Sequence, residues 1–285
     1  MYSMYMWNMM AIQPGYAGSA DVLNVTALSR IQWAGIDGAP ITQSLSAHSP
    51  LNARSLGIGG SLVHDRIGRT YTTSAYGDIA YRMNVNHNTR LALGLNAGIN
   101  HAVMANTQVE NTDPNDPTFR SDISGRICPN FGFGAYLWSQ HGYAGIAVPK
   151  LLRNYLGRTS GEDGVSSRFM QEATHVFITA GYVLPLGAVM FKPAIMLRAT
   201  EGAPLSGDIS ANFFLQEKFI LGAAYRNGDS FTGILAMQAN DQIRVGYAYD
   251  MGISALNRRA GGAHEIMVSY APVFTRERVR SPRYF

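Results

Sequence analysis

The segment Ile243-Arg-Val-Gly-Tyr-Ala-Tyr-Asp-Met-Gly-Ile253 decides the fold of this chain. Every second residue in it is large and apolar, and the residues between are small or polar, among them Arg244 and Asp250. A β-strand sends successive side chains to opposite faces, so the segment predicts a strand with one apolar and one polar face. About fourteen segments of the chain alternate in this way. They span 21–34, 40–48, 54–65, 70–84, 89–104, 126–139, 143–153, 172–184, 188–199, 206–216, 219–226, 231–239, 242–254 and 263–274.

The links between the predicted strands alternate between short and long. Links such as 140–142 and 240–241 are short, whereas 105–125 and 154–171 are the longest. Barrels of bacterial outer membranes have short turns on the periplasmic side and longer loops outside. The sequence therefore predicts an all-β fold, a transmembrane antiparallel β-barrel of about 14 strands, integral to the outer membrane of a Gram-negative bacterium. An even strand number places both termini in the periplasm.

Composition narrows the class of protein in the same direction. No stretch of the 285 residues is a continuous apolar helix of the roughly 20 residues that would cross a bilayer. Because only helices and closed barrels satisfy their backbone in lipid, the chain is either soluble or a barrel, and its 30 glycines and 15 tyrosines favour a barrel. The net charge of +4 comes from scattered arginines, which argues against a nucleic-acid partner. No secretion signal is visible, so we expect the numbering to begin near the mature end.

The first twenty residues differ from the rest. A barrel of about 14 strands encloses more space than its own side chains fill. The Met- and aromatic-rich start is therefore predicted to fold into or against the lumen as a plug-like segment, 1–20, ahead of a barrel at 21–274 and a basic periplasmic tail at 275–285. An alternative is that its apolar residues only dock on the wall. The plug and partner-binding candidates are Tyr5, Trp7, Asn8, Pro14, Tyr16 and Gly18.

Charged residues within the strands are expected to face the lumen. An Arg on the lipid face at mid-membrane costs about 2–4 kcal/mol, which favours an inward orientation. The resulting network is interpreted either as a charged conduit or as a satisfied polar lining. Its predicted members are Arg30, Asp78, Arg82, Arg198, Arg244 and Asp250, with Asp208 as a further carboxylate. Tyr81, Tyr143, Tyr182 and Tyr270 are assigned to a periplasmic aromatic belt, and Trp33 and Tyr225 to an outer one.

Catalytic and metal motifs are weak in this sequence. The seven histidines are scattered singly, and His264-Glu265 lacks the spacing of a zinc protease. Asp113, Asp116 and Asp122 could bind calcium, but the carboxylate spacing of an EF-hand is missing. We therefore predict a protein that is not an enzyme, with no catalytic residue, cofactor or metal site.

Several longer motifs carry a resemblance to a known family. They include Ile12-Gln-Pro-Gly-Tyr-Ala-Gly18, Gln32-Trp-Ala-Gly-Ile-Asp-Gly-Ala-Pro40, Pro129-Asn-Phe-Gly-Phe-Gly134 and His264-Glu-Ile-Met-Val-Ser-Tyr270. In this order, over nearly the whole chain, they resemble the PorP/SprF family of type IX secretion system outer-membrane proteins. The chain departs from the family pattern at Trp7, where Phe is usual.

The resemblance implies a role in type IX secretion and gliding. It implies an outer-membrane component that binds, and helps export or anchor, a cargo protein such as an adhesin through its C-terminal signal domain. Alternatives are a core barrel that docks the periplasmic ring lipoproteins through residues 1–18 and 275–285, and a fatty-acid-type or passive transporter. Outward loops are the expected cargo contacts, with candidates Trp33, Asp37, Asp113, Asp116, Phe119, Tyr155, Arg158, Arg258 and Arg259.

Overall fold

The computed structural model describes residues 1–51, 55–105, 122–125, 127–160, 166–216, 218–253 and 261–272. Within these ranges the strands are β1 (Asn24–Gln32), β2 (Ile41–Pro50), β3 (Leu56–Ile67), β4 (Thr70–Asn84), β5 (Thr89–Met104), β6 (Ile123–Ser124), β7 (Cys128–Ser139), β8 (Gly142–Val148), β9 (Tyr155–Ser160), β10 (Ser166–Gln171), β11 (His175–Tyr182), β12 (Leu184–Leu186), β13 (Val189–Thr200), β14 (Ser206–Leu215), β15 (Phe219–Arg226), β16 (Ser230–Gln238), β17 (Ile243–Gly252) and β18 (Ala263–Tyr270).

Fourteen of these strands form a closed antiparallel barrel, as the sequence predicts. The wall runs in chain order through β1 to β5, β7, β8, β11 and β13 to β18, and β18 pairs back onto β1. Short β6 pairs only with β5, β12 continues the line of β11 along β13, and β9 and β10 form a separate hairpin. Closure removes free sheet edges wherever neighbouring strands have matched lengths.

The two faces of the wall differ as the alternation predicts. In β17, Tyr247 and Met251 are 40% and 57% exposed on the outside, whereas Ala248 and Asp250 are 0% and 4% exposed inside. Large apolar side chains are exposed around the outside of the barrel, from Leu45 through Phe133 and Ile209 to Ile266. Among the described residues, no helix has the length and apolar character needed to cross a membrane.

The links fall at two ends of the barrel. The links that follow β2, β4, β7, β12, β14 and β16 meet at the end where β1 begins and β18 ends, which we call the short-link end. The links that follow β1, β3, β5, β8, β13, β15 and β17 meet at the long-link end. Not every link there is long: β3 and β4 are joined by Gly68 and Arg69 alone, and the φ of +58° at Gly68 suits this tight turn.

Two sequence predictions need correction. The strand predicted at 143–153 ends at Val148, because Pro149 has no N–H to continue the ladder and the chain then turns inward. Tyr143 does not belong to an aromatic belt: it is only 6% exposed and packs beside Tyr136 in the lumen, with ring centroids 5.8 Å apart. Its side chain therefore points to the lumen, away from the lipid-facing side that a belt residue needs.

Candidate functional site in the barrel lumen

Residues 1–20, the N-terminal segment, are packed inside the barrel. They form three single-turn 3-10 helices, Tyr5–Trp7, Met9–Ala11 and Pro14–Tyr16. The first 18 residues are buried almost throughout, and they pack against inward side chains from both halves of the wall. Burial raises the pKa of the Tyr2 phenol to about 12, so this hydroxyl stays protonated at neutral pH.

One end of the N-terminal segment is fixed by a buried ionic cluster. Backbone N–H groups of Ser3 and Met4 donate to the two carboxylate oxygens of Glu265 at 2.9 and 2.7 Å. The Ser3 hydroxyl donates to Asp250 at 2.7 Å. Arg30 completes the cluster with contacts of 2.5 Å to Asp250 and 3.1 Å to Glu265. Ser3, Arg30, Asp250 and Glu265, the anchor cluster, thus join the segment to β1, β17 and β18 across residues distant in sequence.

Glycines in the barrel wall leave room for the backbone of the N-terminal segment, and we call these positions the glycine seat. A Cβ at Gly94 would lie against the backbone of Pro14 and Gly15, closer than real side-chain carbons approach other atoms. A Cβ at Gly57 would collide with Ala17 in the same way. Because glycine otherwise weakens a strand, its presence at these inward positions is explained by the close approach of this second backbone.

Glutamine and asparagine amides hold the middle of the segment. The Gln13 amide donates to the backbone carbonyls of Ala135 and Ile146, both at 3.1 Å. The Asn8 amide donates to Ser44 at 3.0 Å and accepts from Ser46 at 2.9 Å. These buried polar groups are therefore satisfied by the wall rather than by water.

The segment leaves the lumen at the short-link end through a second ionic contact. Arg82 donates to the carbonyl of Gly18 at 2.6 Å and to the Asp21 carboxylate at 2.9 Å. Arg90 reaches Asp21 from the rim at 2.7 Å. The backbone then joins β1 at Asn24.

Some of the predicted lumen charges pair with one another in the structure, and others pair with residues outside the predicted network. Arg30 and Asp250 meet directly, as their parity allows. Arg82 pairs with Asp21, the residue after the N-terminal segment, rather than with Asp78. Asp78 is buried and has one oxygen, Oδ2, without a hydrogen-bond partner among the described residues.

The other two predicted arginines also have different neighbours. Asp208 pairs with Arg226 at 2.7 Å rather than with Arg198. Arg244 lies over the Trp7 ring, 5.9 Å from its centroid, and donates to Gln238 at 3.0 Å. An arginine of the network therefore also packs against the N-terminal segment.

Sequence reasoning missed Glu265 and Arg226, and it predicted an inward Lys192 but left this residue out of the network. All three face inward, and Lys192 is 0% exposed, with its ammonium 5.6 Å from the Tyr143 ring centroid. The alternation of side chains along each strand was enough to place all three inside the barrel. Glu265, for example, alternates with the outward Ile266 and Val268 of β18. His264-Glu265 was weighed only as a metal motif, which hid its place in the lumen.

A second segment also folds inward, at the long-link end. Residues 149–154, which we call the strap, follow β8 and cross the inner face of β5 and β7. Asn96 donates to the carbonyl of Pro149 at 3.2 Å. The Asn130 amide donates to the carbonyl of Leu152 and accepts from its N–H, both at 2.9 Å.

Glu172 ties the strap to the wall. Its carboxylate, which is mostly buried, accepts from Asn130 at 3.1 Å, from Asn154 at 3.0 Å and from Lys150 at 3.3 Å. The strap is thus held mainly by side chains, two of which belong to the strap itself.

The predicted cargo contacts are only partly visible. Trp33 lies at the long-link rim and lines a small cavity with Arg30 and Ser230. Asp37 is exposed in the link after β1, and Tyr155 is exposed at the start of β9. The side chain of Arg158 lies outside the described residues, as do Asp113, Asp116, Phe119, Arg258, Arg259 and the tail at 275–285. Within the described ranges, no group of three or more His, Cys, Asp or Glu side chains could hold a metal ion.

Comparison with known proteins adds a family and a set of similar barrels. The family model described as type IX secretion system membrane protein PorP/SprF matches residues 1–270. Among curated proteins, none matches the chain.

The similar solved structures are outer-membrane proteins of low sequence identity. The toluene transporter TbuX of Ralstonia pickettii is 10% identical, with a TM-score of 0.55 over 93% of each chain. A FadL homologue of Pseudomonas aeruginosa is 12% identical, with a TM-score of 0.49 over 91% of this chain and 92% of its own. Omp33 of Acinetobacter baumannii is 8% identical, with a TM-score of 0.49 over 88% and 98%. At such identities the likeness to TbuX shows the barrel fold alone.

Proposed function

We propose, because the chain belongs to the PorP/SprF family of type IX secretion system membrane proteins, that it is an outer-membrane barrel that binds a secreted cargo protein. The cargo would be held through its C-terminal signal domain and exported or anchored at the cell surface. The observation that carries this proposal is the family match over residues 1–270.

The filled lumen supports a binding role over a transport role. The N-terminal segment fills the lumen between the anchor cluster and Arg82, which lies at the short-link end. The strap covers part of the lumen at the long-link end. A transporter of small molecules needs a continuous passage, which these two inward segments obstruct. Binding of a cargo protein at the long-link end does not need such a passage.

Orientation follows from the two kinds of link. We assign the short-link end to the periplasm and the long-link end to the cell exterior, because this is the arrangement in outer-membrane barrels. The exposed Asp37 and Tyr155 would then be available to cargo outside the cell. The N-terminal segment would enter the lumen from the periplasmic rim beside Arg90.

Purification from native membranes tests the proposal. An affinity-tagged form of the full chain is isolated in mild detergent, and the co-purifying proteins are identified by mass spectrometry. A secreted protein with a type IX C-terminal signal domain is the expected partner. Recovery of ring lipoproteins alone would replace this proposal with periplasmic docking, and an ion-conducting barrel without either partner would indicate a transporter.

A further inference from the structure

The wall of the barrel has a step between β7 and β8. Register pairs Phe133 of β7 with Val148, the last residue of β8. β7 continues for five more residues, Cys128 to Gly132, which pair with β5 on one side. On the other side, no strand in the described part of the chain pairs with Pro129 to Gly132, because the chain leaves the wall at Pro149. A strand edge of this kind is where a further strand can add.

At this edge, the backbone groups that would bond to a neighbouring strand bond instead to side chains and to the strap. Pro129 has no N–H, and its carbonyl accepts from the Asn154 side chain at 2.8 Å. The N–H of Phe131 is bonded to the Asn130 side chain at 2.9 Å, and its carbonyl accepts from the N–H of Leu151 at 2.8 Å. Only the last of these is a bond between two backbones.

The strap already imitates a docked peptide at this edge. The Asn130 amide binds both the N–H and the carbonyl of Leu152, which are the two backbone groups that every residue except proline offers. On the inner side, a Cβ at Gly132 would collide with the carbonyl of Pro149, so the wall leaves room there for a backbone. These contacts read backbone and not side-chain identity.

The inner and outer faces of the wall beside this edge indicate which side chains a docked strand would carry. The inner face carries the buried amides of Asn96 and Asn130, whereas Phe131 and Phe133 are exposed on the outer face. A strand that extends the line of β8 would place alternate side chains against these faces. It would therefore alternate polar with apolar residues.

We propose that the edge of β7, formed by the backbone of Pro129 and Phe131 with the Asn130 amide, is a docking site for an extended segment of the secreted partner protein. The strap occupies this edge site when no partner is bound, and it is displaced when the partner adds as a strand. The identity of the partner rests on the proposed function. The edge and its provisional cover rest on the geometry alone.

A reversible lock tests the site. In a Cys128→Ser background, Phe131→Cys with Leu151→Cys places two thiols on neighbouring backbones whose native side chains are 52% and 49% exposed. The disulfide forms in the oxidising periplasm and holds the strap on the edge. The matched control is Leu235→Cys with Tyr247→Cys, an outward register pair of β16 and β17 that stays paired in any state.

Cargo recovered from native membranes is the readout. The locked protein is expected to recover at least about 10-fold less cargo than the unlocked chain, a difference of about 1.4 kcal/mol, with recovery restored by a thiol reductant. The control pair should recover cargo like the unlocked chain. Equal recovery by the locked protein overturns the edge site and leaves the proposed function standing. Absence of cargo from the unlocked chain overturns the proposed function, and the partner assigned to the edge with it.

A photo-crosslinker covers the case in which the locked protein fails to assemble. Replacing Phe131 with a photoreactive phenylalanine analogue should give a cargo adduct, whereas the same replacement at Phe213, exposed on β14 four strands away along the wall, should give none. Adducts from both positions or from neither would contradict the site.

Discussion

The N-terminal segment and the strap both fill the lumen, but they are held in different ways. The segment is bonded to the wall residues of the anchor cluster and to the carbonyls that receive Gln13, and its backbone packs against Gly94. The strap is held by Glu172 and by amide side chains, with one backbone bond to β7. From this difference we infer that the segment is a permanent closure of the barrel and that the strap, as proposed above, is one that can be exchanged.

The largest effect on the permanent closure is expected from removing Arg30, the cation of the anchor cluster. Arg30→Met leaves the carboxylates of Asp250 and Glu265 buried without the guanidinium to which both of them bond. Breaking one side of a buried ion pair costs about 3–5 kcal/mol. We expect a loss of this size in urea unfolding of the barrel in lipid vesicles, and a loss below about 1 kcal/mol would contradict the role of the cluster.

A smaller effect is expected at the glycine seat. Gly94→Val forces a side chain into the backbone of Pro14 and Gly15, so the segment must shift at a cost of about 1–3 kcal/mol. Loosening the segment should also raise the ion conductance of the barrel in planar bilayers. The control is Gly233→Val, whose Cβ would meet nothing within 4 Å. Equal conductance of the two variants would show that the segment does not depend on this seat.

The strap should respond to loss of a single charge. Glu172→Gln removes the ionic contact with Lys150 and weakens the acceptor of two amides, at a cost of about 1–2 kcal/mol. Trypsin needs a locally extended chain, so release of the strap from the wall should speed cleavage after Lys150 and Arg153. We expect cleavage there about 10-fold faster than in the native chain, with Asp241→Asn as the control, because that exposed carboxylate lies at the short-link end, away from the strap. Unchanged cleavage would place the strap with the permanent closure.

The smallest effect is expected for an exposed ion pair of the strap. Arg153 pairs with Glu201, but their side chains are 53% and 61% exposed. Exposed ion pairs contribute about 0–1 kcal/mol. Arg153→Met should therefore change the free energy of unfolding by less than about 0.5 kcal/mol, and a loss approaching that of Arg30→Met would break the contrast between buried and surface charge.

The parts of the fold that were predictable are those set by local alternation. The 243–253 segment must present one face to lipid and the other to the lumen, so its residues could be assigned to faces from sequence. Parity does not give depth or position around the wall. Arg82 therefore had no predictable partner, because Asp21 reaches it only after the N-terminal segment has folded inside.

The early end of β8 was hidden for a related reason. The residues that receive the strap, Asn96 and Asn130, belong to β5 and β7, and only closure of the wall brings them beneath Pro149 and Leu152. The local pattern at 143–153 continues to look like a strand. Pro149 interrupts this pattern locally, and the contacts with Asn96 and Asn130 then set the course of the strap.

Site-resolved hydrogen exchange of the barrel in lipid tests the central claim most directly. The N–H groups of Ser3 and Met4 bond to Glu265, whereas those of Leu151 and Leu152 bond to the edge of β7 and to Asn130. Local opening sets exchange rates, so a permanent closure exchanges slowly and an exchangeable one quickly. The account predicts that the two strap amides exchange at least about 10-fold faster than the two segment amides. Equal protection of all four would contradict it.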